Sequence, residues 1–97
     1  MLPDIENYIL QVFSAEHQER AKQLIGGAVI EDGSAASPRL QRSALVGSRG
    51  SIENLEYYVN LLKIDYRDVI VAGEYEGRGN KLLQVRDLNV PFSNASG

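Results

Sequence analysis

The sequence predicts an all-α fold, a single small bundle of four to five short helices. Three observations point to it. Apolar residues recur at three- and four-residue spacing through most of the chain, as in helices that bury one face. Helix-start chemistry recurs where such stretches begin, at Pro3, Ser14, Ser37-Pro38, Ser51 and Asp65. A length of 97 residues suffices for one core and not for two. The domain is read as residues 1–90, with 91–97 as a flexible C-terminal tail.

Asp4–Phe13 places Ile5, Ile9 and Val12 at helical spacing. Pro3 suits the first turn, and Asp4 and Glu6 suit the positive end of the helix dipole. The following stretch sets His17, Ala21, Leu24, Ile25 and Ala28 on one face. At about 100° per residue the two stripes lie more than a quarter turn out of phase. One straight helix cannot bury both, so a break is expected at Ser14. Gly26-Gly27 is a stop signal, but Ala28 and Val29 continue the stripe, which carries the expected helix to about Ile30. The small, polar run Asp32–Ser37 is expected to be a flexible surface loop.

Ser37-Pro38 opens a third helix that runs to about Ser48, with Leu40, Ala44 and Gly47 inward and small enough for a neighbouring backbone to come close. Arg49-Gly50 closes it and Ser51 caps the next. Across Ala44–Asp65 the pattern resembles the helical hairpin of an ankyrin repeat, which supports an antiparallel helix pair.

Ile52–Ile64 is the most informative segment. Ile52, Leu55, Tyr58, Val59 and Leu62 form one apolar stripe, and Tyr57, Leu61 and Ile64 form a second. Glu53, Glu56, Asn60 and Lys63 crowd into a narrow polar arc, so the helix is expected to be covered on most sides, by its own chain or by another. Asp65 can cap a further helix that groups Tyr66, Val69, Ile70 and Gly73. A competing pattern exists: the β-branched run Val69-Ile70-Val71 and the turn residues Gly77-Arg78-Gly79-Asn80 fit a small β-hairpin over 69–88. Helix is the favoured reading for the first part; Lys81–Leu88 reads as a short helix or an extended arm.

Composition excludes several chemistries. The chain has no cysteine and one histidine, so thiol chemistry, disulfides and histidine-rich metal sites are absent. His17 sits on an apolar stripe, where packing is the expected role. Asp65, Asp68, Glu74 and Glu76 do not follow a calcium-loop spacing and read as caps and solvated charge. Gly77-Arg78-Gly79 lacks the residues that complete a phosphate loop. No catalytic constellation, cofactor or small-molecule substrate is implied, so the chain is read as non-enzymatic.

The net charge of −3 argues against strong nucleic-acid binding, but Arg39–Gly50 holds Arg39, Arg42 and Arg49 with no acidic residue. Gly47-Ser48-Arg49-Gly50, with Val46 before it and Ile52 and Leu55 after it, resembles the Gly-x-x-Gly loop of KH domains, which would imply contact with a nucleic-acid backbone. A plain glycine turn between helices fits the same residues. No apolar run is long enough for a membrane span, and Asp4 and Glu6 stand where a secretory signal would be basic, so a cytoplasmic setting is expected. The leading expectation is a protein–protein interaction or regulatory module, as a homodimer or with a protein partner, in contact through Tyr57, Leu61 and Ile64. The alternative is weak nucleic-acid binding through Arg39, Arg42 and the Gly47–Gly50 loop.

Overall fold

A computed structural model describes residues 1–92. Among them the chain forms α1 (Pro3–Val12), α2 (Ala15–Gly26), α3 (Pro38–Ser48) and α4 (Ile52–Glu74), followed by an antiparallel hairpin of β1 (Tyr75–Arg78) and β2 (Lys81–Gln84). The fold is therefore mostly helical, with the small hairpin as its C-terminal addition.

The break between α1 and α2 falls at Phe13 and Ser14, both extended, and frees the two out-of-phase stripes to bury Ile5 and Ile9 from one helix and Ala21 and Ile25 from the next. Ser14 takes the cap position without a side-chain bond; Gln18 Nε2 reaches back to donate to the Phe13 carbonyl at 3.0 Å. α3 and α4 begin as their caps dictate, with Ser37 Oγ accepting from Leu40 N–H and Ser51 Oγ from Asn54 N–H.

Two expectations in this half are corrected. α2 stops at Gly26 rather than near Ile30, because the chain turns into paired extended backbone: Val29 bridges Ala35, and Ala36 N–H donates to the Ala28 carbonyl at 2.9 Å. The expected flexible loop is a fastened turn. Asp32 Oδ1 accepts from both Ser34 N–H and Ser34 Oγ, and Gly33 takes the left-handed conformation that glycine tolerates.

α3 and α4 form the centre. Their backbones come so close that a Cβ on Gly73 would stand 2.6 Å from Ser43 Cα, and one on Gly47 would stand 3.2 Å from the Tyr58 ring. The small inward face predicted for α3 has this use. Leu40, Ala44, Leu45, Leu55, Val59, Leu62 and Val69 fill the space between helices.

α4 is interrupted at Asp65, whose backbone is non-helical and whose Oδ1 accepts from Arg67 N–H at 3.1 Å. Asp65 thus restarts the helix as a cap. Helix continues through Val69-Ile70-Val71 to Glu74, because burying Val69 overrides the β preference of that run. The hairpin occupies only 75–84, inside the 69–88 range expected for it. Its two-residue turn is Gly79-Asn80, with positive φ at Gly79 as a type II′ turn requires.

Lys81–Leu88, read as a short helix or an extended arm, is not helix: 81–84 form β2, and 85–92 run back across the helices as a strap with a turn at Leu88 and Asn89. Val85 N–H donates to the Glu74 carbonyl at 2.7 Å, Leu88 is buried, and the Phe92 ring stacks on Tyr8 with centroids 4.3 Å apart. The tail expected over 91–97 is therefore packed at its start, and its remainder, 93–97, lies outside the described residues.

Candidate functional site

The outer side of α4 is open. Leu55, Val59 and Leu62 face the core, and half a turn away Tyr57 is 60% exposed and Ile64 72% exposed, the most exposed large apolar side chain among the described residues. Leu61 is half-buried and packs against the core margin. Tyr57 rests edge-on against Tyr58, with ring centroids 5.2 Å apart. The described part measures 38 × 37 × 22 Å. Among the described residues little covers Tyr57 and Ile64. The second stripe of the helix wheel, Tyr57, Leu61 and Ile64, thus divides into two exposed members and one that is half-buried.

The predicted basic face does not form from Arg39 and Arg42. Arg39 makes a two-pronged contact with Glu74, Nε to Oε2 and Nη2 to Oε1, each at 2.8 Å. Arg42 is only 2% exposed: Nε donates to Asp4 Oδ2 at 2.9 Å, Nη2 to Asp4 Oδ1 at 3.3 Å, and Nη1 to the Leu88 carbonyl at 3.1 Å. Both guanidiniums are held by carboxylates from distant parts of the chain, so they are not free to meet phosphates. Arg49 is exposed and in no ion pair among the described residues. Gly47 is packed within α3, and a Cβ on Gly50 would stand 2.7 Å from the Val12 carbonyl oxygen. That connection is a tight helix–helix turn packed on the end of α1, not a free clamp loop.

The acidic residues also have assigned partners. Glu74 is fully buried. Oε1 accepts from Gln84 Nε2 at 2.9 Å and Oε2 from Leu88 N–H at 3.1 Å, besides the two Arg39 contacts. Sequence reasoning placed Glu74 among solvated charges; here it joins α3, α4, the hairpin and the strap. Asp4 does the same for the strap's end, accepting from Phe92 N–H at 3.0 Å. His17 is part-exposed beside Glu16, 3.5 Å away. Among the described residues, no group of three or more histidine, aspartate or glutamate side chains converges as a metal site requires.

The two carboxyls titrate abnormally. The Arg39 guanidinium holds Glu74 below its ordinary value of 4.5, against the opposing effect of burial. For Asp4, burial pushes upward, but hydrogen bonds from Arg42 and Phe92 N–H outweigh it and the net shift is downward from 3.8. Each folded-state pKa is lower than the unfolded one, so the unfolded chain binds more protons in acid. The resulting stability is complete above about pH 5 and is lost as pH falls through the lowered native values. Urea midpoints measured from pH 7 to pH 3 should decline below about pH 5, and less steeply in an Asp4→Asn/Glu74→Gln variant.

No known protein family, curated protein or solved structure matches the chain. Among the described residues no helix is long and apolar enough to cross a membrane.

Proposed function

We propose that this chain is a non-enzymatic protein–protein interaction module of the cytoplasm that pairs with a second copy of itself through the outer face of α4. One observation carries the proposal: the exposure of Ile64 at 72% and Tyr57 at 60%, on the side of the helix opposite the core. An apolar pair left outside, on the helix whose Leu55, Val59 and Leu62 are buried, is what a contact surface provides.

Residue spacing fits an antiparallel two-fold arrangement. Tyr57 and Ile64 lie two turns apart on one side of α4, and Glu56 beside them is held within its own chain by Arg20 Nη2 at 2.8 Å. Antiparallel pairing about their midpoint sets Tyr57 of one copy against Ile64 of the other. Such isologous contacts are the commonest way for small proteins to pair.

Size-exclusion chromatography with light scattering tests this. The wild-type mass should rise from monomer toward dimer as concentration increases into the high micromolar range. Ile64→Glu should remain monomeric with unchanged helicity and melting temperature, since Ile64 contributes little to the core. Leu61→Arg should also block pairing, with some loss of stability because Leu61 is half-buried. A wild-type monomer at every concentration would sink the self-association reading.

A further inference from the structure

A second surface feature lies away from α4's outer face, where the C-terminal ends of α3 and α4 meet the hairpin and the strap. Val46, Arg49, Ala72, Tyr75, Glu76 and Arg86 line a cleft of about 300 Å³. Val46 and Ala72 supply apolar surface, while two arginines and a tyrosine supply donors. We propose that this cleft binds a small organic oxyanion, a molecule bearing a phosphate or carboxylate group beside an apolar body.

Two features favour it, one at each arginine. Arg49 holds its backbone in the left-handed region, φ 53° and ψ 39°, the only non-glycine residue among those described with positive φ. Glycine occupies such helix-end positions without strain, and it is followed here by Gly50, also at positive φ. An arginine at a place where glycine fits better, lining the cleft and in no ion pair among the described residues, has a guanidinium open to an anionic ligand. Arg86 is prearranged beside the cleft, because Nη1 donates to the Gly73 carbonyl and Nη2 lies 3.4 Å from Glu76 Oε2. Arginine forks suit the paired oxygens of phosphate and carboxylate.

Glu76 is the built-in competitor. Its carboxylate lies 3.4 Å from Arg86 Nη2 and 3.9 Å from Arg78 Nη2, so it partly neutralises the cleft. An incoming anion must share Arg86 with it. The consequence is a pair of opposite effects: removing the Arg49 guanidinium weakens binding, and neutralising Glu76 strengthens it.

Amide chemical shifts of the full chain, followed during titration with phenyl phosphate, benzoate and inorganic phosphate at low salt, test the proposal. Saturable shifts at Val46, Arg49, Ala72 and Tyr75 are expected with at least one of the two aromatic probes. Phenyl phosphate alone would identify a phosphate ester as the ligand class, and benzoate alone a carboxylate. Inorganic phosphate should bind more weakly than phenyl phosphate, since it leaves Val46 and Ala72 uncovered. Arg49→Gly should weaken binding at least tenfold while melting no lower than wild type, which separates loss of the ligand contact from loss of fold. Glu76→Gln should tighten it several-fold. Absence of saturable shifts with both aromatic probes, or an Arg49→Gly variant that binds as well as wild type, would overturn the proposal.

Discussion

Glu74→Ala is expected to destabilise the protein by about 3 kcal/mol, the lower end of the range for removing one member of a buried ion pair. The lower end applies because Arg39 keeps 32% side-chain exposure and can turn its charge toward water. Leu88 N–H has no such escape. It is buried, and without Oε2 it loses its acceptor, while Gln84 Nε2 loses its partner on Oε1. Since small domains are stable by only about 5–15 kcal/mol, the loss should be plain in a urea midpoint. Hydrogen exchange gives the second readout: amides of 85–92 should open well before those of α3 and α4, because Glu74 fastens the strap to the helices. A loss below about 0.5 kcal/mol, within the usual surface range, would show that the buried carboxylate does not hold the strap.

Gly73→Ala has a comparable expected cost, about 2–3 kcal/mol, from the opposite cause. Helix propensity alone favours alanine over glycine by about 1 kcal/mol. Against that, the new methyl would stand 2.6 Å from Ser43 Cα and 2.7 Å from its carbonyl oxygen. The obstacle is backbone, which cannot rotate aside, so α3 and α4 must separate and loosen the contacts around Val69 and Leu45. Steric cost therefore wins over propensity. Gly26→Ala supplies the contrast, since nothing lies within 4 Å of its added Cβ and the residue is helical. That variant should be neutral or stabilising by up to about 1 kcal/mol. Equal effects at the two positions, by thermal or urea unfolding, would contradict the close packing of α3 on α4.

What was readable in advance was chemistry settled within a few residues. Ser37 with Pro38, Ser51 and Asp65 mark helix starts because each cap bond closes within two or three positions. The phase conflict between the Ile5–Ile9 and Ala21–Ile25 stripes required a break, and Ser14 provides the place. Small residues in α3 announced a close neighbour. Long-range pairing was not readable. Arg39 meets Glu74 across 35 positions, Arg42 meets Asp4 across 38, and Phe92 N–H meets Asp4 across 88. In each case the local pattern is that of a solvated charge or a loose end, and only the folded chain shows the partner. For the same reason Arg39 and Arg42 do not form the basic face that their spacing suggests, since distant carboxylates hold them, whereas the exposure of Tyr57 and Ile64 follows helical spacing and Leu61 is half-buried. The hairpin lies between these cases. Its Gly79-Asn80 turn was legible, but the β-branched run that suggested strands is helical, since burial of Val69 outweighs local preference.

Pairing through the outer face of α4 is tested most directly by an inter-copy distance. The chain has no cysteine, so Asn60→Cys gives a single site for a nitroxide label beside the Tyr57–Ile64 midpoint. Pulsed dipolar spectroscopy at high micromolar concentration should show a short, well-defined distance between labels on two copies, and Ile64→Glu in the same labelled chain should abolish it. Labels that remain isolated from one another in the otherwise wild-type chain would contradict the assignment of this face as the contact surface.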